Sequence, residues 1–252
     1  MCPPSTEQHL SRKALIGYRP KVGLIVAGDV DGLSPHSTSL SNFDHSAFLS
    51  EGECTALEGI SAAFYGMHMI VLVAANSEVA SNVAKILGKG TVKVAIVGPH
   101  SNSSLLRPHV NSLVATPHWN SFECICAAFF HPIANEGVCN VDFEDFRKIL
   151  MRKGDSILGY GSGGDVEAAT RLAIASLEAE QLNRASAVFV SIEALPGAVK
   201  VQAVKNSLAQ VRWHLSPVIA NDAIRHSLTP STSNCSQISV CILATGIPQE
   251  GV

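Results

Sequence analysis

Three polar side chains, Asn140, Asp142 and Asp145, lie close together where a loop leads into a helix. Gly137 allows a tight turn just before them. Asp142 is a suitable N-cap residue, and Asp145, three residues later, is placed to complete a capping box. Both carboxylates also suit the positive end of a helix dipole. The spacing therefore predicts a capped helix start, and its buried face would carry Phe143, Phe146 and Leu150, which recur at i, i+3 and i+7.

Apolar runs alternate with amphipathic segments throughout the first half of the chain. Strands that alternate with helices predict an α/β fold with a doubly wound parallel sheet. Residues 33–53 are expected to form a loop. The predicted strands are 21–28, 69–75, 92–98 and 110–117, and the predicted helices are 57–67, 76–87 and 121–130.

The second half predicts a smaller α+β domain. Its predicted helices start at Asp165 and Val201, its strands are 187–192, 218–220 and 238–246, and residues 226–236 are expected to form a loop. The predicted domain organisation is a first domain over 1–139, the polar loop and a connecting helix over 140–155, and a second domain over 156–252.

The composition excludes several classes of function. The chain is 46% hydrophobic and 15% charged, which predicts a globular protein rather than a disordered one. A net charge of −3 without a basic block argues against nucleic acid as a partner. No apolar run is long enough to span a membrane, and the first residues do not form a signal peptide. The seven cysteines show neither disulfide-framework nor zinc-site spacing, so we expect a cytoplasmic protein without a metal site.

The polar loop and several segments around it resemble the tubulin/FtsZ family. The pattern Asn-x-Asp-x-x-Asp after a glycine loop is similar to the synergy loop of that family. The resemblance, to a shortened and divergent FtsZ-like protein, extends from about 56 to 246, and the matching segments occur in the family's order. Besides 137–150, these are Val94–Val97, Asn111–Pro117, Leu158–Gly161 and Ile238–Ile247.

The resemblance implies a catalytic role for the polar loop. In the family this loop reaches the nucleotide of the next subunit, where its side chains position the water that attacks the γ-phosphate. Asn140, Asp142 and Asp145 occupy the three matching positions. They would therefore act on a neighbouring subunit, and a capping role does not exclude this.

The phosphate-binding loops of the family are poorly matched. The signature GGGTGTG corresponds to Asn76 and the residues after it, and only Gly28 remains of an earlier glycine loop. Loss of these glycines removes a backbone nest for anions. Glu78 would oppose the phosphates, and the two acids of the earlier loop, Asp29 and Asp31, would each cost about 1–4 kcal/mol beside a triphosphate. The family implies GTP, with Mg²⁺, as a ligand; the residues predict an impaired GTP site in which Gly28 and Asn76 are the residual nucleotide-loop positions.

The resemblance implies an FtsZ-like cell-division protein that binds or modulates FtsZ-type filaments. Its partner would be an FtsZ-type protein or a second copy of itself, arranged head to tail. The family's tail peptide for membrane tethers has no counterpart before Val252.

Three alternatives remain open. The chain could be an active FtsZ-type GTPase that polymerises alone, or a non-enzymatic binding module or decayed paralogue. A dinucleotide-binding enzyme is the third, because Gly159-x-Gly161-x-x-Gly164 fits G-x-G-x-x-G before a helix. This motif lies late in the chain, and its expected acid is replaced by Glu178 and Glu180. A glycine-containing turn is therefore favoured over a dinucleotide site.

Overall fold

One mixed sheet of nine strands forms the centre of the molecule. The computed structural model describes residues 20–28, 30, 43–49, 57–98, 103–135, 139, 141–231 and 237–249. The strands within these residues are β1 (Val22–Ala27), β2 (His45–Leu49), β3 (Met69–Ala74), β4 (Val92–Val97), β5 (Ser112–Ala115), β6 (Asp155–Gly163), β7 (Ala187–Ala194), β8 (Ile224–Pro230) and β9 (Ile238–Ile247).

The strand order is β2-β1-β3-β4-β5-β6-β9-β7-β8. Neighbouring strands are parallel from β2 through β6, β9 is antiparallel to β6 and β7, and β7 is parallel to β8. The predicted α/β class is therefore confirmed. The two halves share the sheet through β5 and β6, where Val114 pairs with Ser156 and Ala115 with Ile157. The division of the chain into domains stays a prediction.

Helices cover both faces of the sheet. No helix in the described ranges combines the length and the apolar character needed to cross a bilayer. A π-helical turn, Cys126–Phe130, joins the helices Phe122–Ile125 and His131–Ala134. The α-helices of the described residues are α1 (Leu57–Ala63), α2 (Ser77–Ile86), α3 (Phe122–Ile125), α4 (His131–Ala134), α5 (Phe143–Leu150), α6 (Val166–Ala175), α7 (Ala179–Arg184) and α8 (Val201–Trp213).

Strands β1 and β3 are buried at every residue. Successive side chains of a strand point to opposite faces of the sheet. Leu24 and Val71 accordingly belong to the core that contains the π-helical turn, whereas Ile25 and Ile70 belong to the core under α1 and α2. Burial on both faces explains why these strands are continuous apolar runs in the sequence.

Two segments predicted as loops contain strands. β2 lies within 33–53, and β8 overlaps 226–236. The sequence of β8 resembles a loop because the strand contains polar residues. One of them, buried Ser227, donates a hydrogen bond to Ser191 Oγ on β7 at 3.3 Å. The predicted strand 218–220 is wrong, since these residues form a turn before β8.

The glycines of the G-x-G-x-x-G motif serve close packing rather than a turn. Gly159 and Gly161 lie inside β6, against α6. A Cβ atom at Gly161 would lie 2.2 Å from the Ala169 carbonyl oxygen, and one at Gly159 would lie 2.3 Å from that of Ala173. The interpretation of the motif as a glycine-containing turn is therefore wrong for these two residues.

We expect Gly161→Ala to lower the free energy of unfolding by about 1–3 kcal/mol or more, because the added methyl group must push α6 away from the sheet. Urea unfolding measures this change. Gly164→Ala is the matched control: its Cβ would meet nothing within 4 Å, and we expect a change of no more than about 0.5 kcal/mol. Equal losses in both variants would contradict the packing argument.

Candidate functional site

Helix α5 is fixed to the sheet by a fully buried apolar face. Phe146 is 0% exposed, and its ring centroid lies 4.9 Å from that of Phe189 on β7. Ile149 and Leu150 are also buried, whereas Phe143 is only half-buried. The predicted helix and most of its predicted buried face are confirmed. At the helix start, Asp142 is exposed and Asp145 is half-buried.

Asp142 is the N-cap of α5, as predicted. Its backbone is extended, with φ −66° and ψ 139°, and its side chain accepts a hydrogen bond from Glu144 N at 2.8 Å. The Asp142 carbonyl oxygen accepts the first helical hydrogen bond, from Phe146 N. The carboxylate is exposed, so one of its oxygens can bind a second group.

Asp145 binds two basic side chains instead of completing a capping box. Lys148 Nζ lies 2.8 Å from Asp145 Oδ1, and Arg225 Nε on β8 lies 3.7 Å from Asp145 Oδ2. The hydrogen bond from Lys148 is the largest cause that lowers the pKa of Asp145 below its ordinary value, and the same bond raises the pKa of Lys148. The predicted reach of Asp145 to the Asp142 N–H group is therefore wrong.

The structure brings Asp142 and Asp145 together at one helix start. Asn140, the third predicted residue, and Gly137 lie outside the described residues. No local pattern indicates Arg225, because its contact with Asp145 depends on the position of β8, a strand that overlaps the predicted loop 226–236.

The two residual nucleotide-loop positions are neighbours at the carboxyl ends of β1 and β3. Gly28 has φ +93°, and a Cβ atom there would lie 3.0 Å from Asn76 N. Gly28 N donates to Leu49 O at 2.8 Å, and Asn76 N donates to Ala27 O at 2.9 Å. Parallel sheets usually bind ligands in this place, just beyond the carboxyl ends of their strands.

Asn76 also caps α2. Its Oδ1 atom accepts hydrogen bonds from Glu78 N at 3.0 Å and from Val79 N at 3.1 Å. Glu78 is exposed in the first turn of the helix. An acid and an N-cap side chain therefore stand at the helix end that would otherwise attract an anion.

Metal binding finds no support in the described part of the chain. Across those ranges, no group of three or more His, Cys, Asp or Glu side chains is arranged to hold a metal ion.

Comparison with known proteins identifies the fold. No family model matches the chain. Over 123 residues it is 32% identical to the cell division protein FtsZ of Haemophilus influenzae, and the match covers 46% of this chain and 28% of that protein. The match thus spans less than a third of the length of this relative.

Solved structures of the FtsZ/tubulin type are similar over nearly the whole chain. The W319Y mutant of FtsZ from M. jannaschii has a TM-score of 0.72 at 17% identity, with 96% of both chains covered. CetZ2 from Haloferax volcanii, solved as a GTPγS-bound protofilament, has a TM-score of 0.56 at 13% identity, with 91% of this chain and 94% of that chain covered. TubZ from Bacillus thuringiensis serovar israelensis, solved as GDP-form protofilaments, has a TM-score of 0.57 at 11% identity, with 99% and 92% covered. The chain therefore has the FtsZ/tubulin fold, and the resemblance to FtsZ is confirmed.

Proposed function

We propose that this chain is an FtsZ-like cytoskeletal protein that binds FtsZ-type filaments through the start of α5 and does not itself bind GTP tightly. The observation that carries the proposal is a contrast between two regions, the start of α5 and the residual nucleotide-loop positions Gly28 and Asn76. Asp142 is exposed and Asp145 half-buried at the start of an anchored helix, whereas the backbone donors at the residual nucleotide-loop positions are already paired within the chain.

The α5 start supports an action on a neighbouring subunit. Asp142 is exposed and Asp145 is half-buried at the start of a helix that Phe146 anchors to the sheet. Lys148 and Arg225 hold the Asp145 side chain in one orientation. Fixed carboxylates of this kind can position a water molecule at a partner's phosphate, and positioning is the main demand in phosphoryl transfer. Asn140 is proposed as the third member of this group.

The corner formed by Gly28 and Asn76 is a poor fit for GTP. Phosphates in such sites are held by several free backbone N–H groups. Here the N–H groups of Gly28 and Asn76 donate to backbone carbonyls, and those of Glu78 and Val79 donate to Asn76 Oδ1. A phosphate would have to displace these acceptors and also approach the exposed Glu78 carboxylate. We therefore propose that the GTP site is impaired.

Association with filaments is supported by the structural neighbours. The similar CetZ2 and TubZ structures are protofilaments, and an FtsZ of M. jannaschii was solved as a dimer. We propose a head-to-tail arrangement in the cytoplasm, in which α5 meets the nucleotide-bearing end of an FtsZ-type partner. A cell-division role follows from the same analogy.

Calorimetric titration of the purified, folded chain with GTP and Mg²⁺ tests this proposal. We expect no binding in the micromolar range, because the four backbone donors described above are already occupied. An authentic FtsZ titrated in the same buffer is the positive control. Micromolar binding by this chain would favour the alternative of a self-polymerising GTPase. Co-sedimentation with FtsZ filaments tests the second half of the proposal, and a folded chain that stays in the supernatant would refute it.

A further inference from the structure

A cavity of about 450 Å³ lies between the start of α8 and the ends of β7 and β8. Its volume falls within the ~300–1,000 Å³ range of small-molecule sites. The described residues that line it include no Lys, Arg, Asp or Glu. Its apolar wall includes Leu195, Pro196, Val199, Val201, Val204 and Leu228.

This cavity adjoins the candidate functional site, because Cys139, which lines it, directly precedes Asn140 in the chain. Arg225 reaches Asp145 of α5, whereas the next residue, His226, lines the cavity. Successive strand residues point to opposite faces, so the side chains of Arg225 and His226 leave β8 on opposite faces of the sheet. Val204 places α8 on the cavity side.

A thiol and an imidazole meet at the cavity wall. Cys139 Sγ lies 3.6 Å from His226 Nε2. An antiparallel bridge holds the backbone of Cys139 beside β8, with Leu228 N donating to Cys139 O at 2.9 Å. Burial lowers the pKa of His226 and so favours the neutral imidazole, which is the form that can accept a thiol proton.

We propose that this cavity binds the hydrocarbon chain of a long-chain acyl thioester and that Cys139 becomes S-acylated there, with His226 as general base. The Cys139 sulfur attacks the thioester carbonyl carbon, and its proton passes to His226 Nε2. The bond between the acyl carbon and the carrier sulfur breaks. The carrier leaves as a thiol after it takes the proton from His226. One thioester replaces another, so no oxidant or reductant is required.

The lining selects an apolar occupant over a polar one. No charged side chain among the described lining residues could pair with an ionic ligand. The rim is also apolar, since Val201 is 73% exposed and Leu195 is 37% exposed. If each chain carbon takes roughly the ~30 Å³ of a liquid water molecule, the cavity holds about 10–15 carbons. An acyl chain of that length fills the space and brings its carbonyl group to the thiol.

The test is incubation of the full chain with tetradecanoyl-coenzyme A, followed by intact mass measurement and peptide mapping. We expect one acyl group on the peptide that contains Cys139, released by neutral hydroxylamine as a thioester is. Cys139→Ser should abolish this label. His226→Asn should slow labelling by about 100-fold. His214→Asn, at an exposed histidine beyond the end of α8, should leave the rate unchanged.

Chain length separates a cavity-directed reaction from simple thiol reactivity. We expect tetradecanoyl-coenzyme A to label Cys139 at least tenfold faster than acetyl-coenzyme A. Val204→Phe, which fills the cavity, should remove this preference while circular dichroism shows an intact fold. Equal rates for both thioesters on the wild-type chain, absence of label on folded protein, or a label that maps to other cysteines would each overturn the proposal.

Discussion

Phe146→Ala is expected to lower the free energy of unfolding by about 3–5 kcal/mol. Phe146 is 0% exposed and forms edge contacts with Phe189 at 4.9 Å and with Phe129 at 6.4 Å between ring centroids. Its truncation would leave a cavity between α5 and the sheet that the fixed backbone cannot close. Since small domains are stable by only about 5–15 kcal/mol, we expect a large fall in the denaturation midpoint in guanidinium or urea.

Phe143→Ala is the matched control, because the same change is made one helical turn earlier at a half-buried ring. We expect it to cost about 1 kcal/mol. Equal losses for the two variants would show that α5 is not anchored mainly through Phe146. Because Phe146 supports the helix start, its truncation should reduce both stability and any effect on a filament partner.

The double variant Asp142→Ala/Asp145→Ala is expected to separate function from stability. Loss of the N-cap should cost about 0.5–2 kcal/mol, and loss of the exposed Asp145 pairs about 0–1 kcal/mol. Stimulation of GTP hydrolysis by an FtsZ-type partner should fall by about 100-fold or more, because the groups proposed to position the water are gone. Phosphate release from the mixed filaments measures this effect.

Asp142→Ser distinguishes a catalytic carboxylate from a structural cap. Serine is as good an N-cap as aspartate, so the stability of this variant should match the wild type. It lacks the carboxylate, so stimulation should still fall. If Asp142→Ser stimulates the partner normally while Asp142→Ala does not, capping is the main role of this residue.

The sheet could be predicted from the sequence because its inner strands are buried on both faces. The runs at Val22–Ala27 and Met69–Ala74 are apolar at every position, a pattern that few other structures produce. β8 could not be predicted, because Ser227 and Thr229 replace apolar residues on its buried side and satisfy their hydroxyl groups by hydrogen bonds to β7. A buried strand that uses polar side chains resembles a loop in sequence.

In the candidate site, only contacts between residues that are close in sequence could be predicted. The N-cap role of Asp142 follows from residue type and position, and it is confirmed. The capping box was wrong because Lys148 offers Asp145 a charge-assisted hydrogen bond, which is stronger than one from a neutral N–H group. Contacts of Asp145 with Arg225 and of Cys139 with His226 join residues about eighty positions apart. They depend on the strand order at the edge of the sheet, which no local pattern encodes.

The short β5–β6 ladder has a mechanical consequence. The strands of the two halves are hydrogen-bonded through only two register pairs, with Ser112 Oγ bonded to Ser156 Oγ at 3.1 Å and an ion pair between Arg107 and Asp155 beside them. The neighbouring ladders are longer on both sides. Within the described sheet, a load that pulls β5 away from β6 would therefore be resisted by fewer backbone hydrogen bonds than a load on either adjacent ladder.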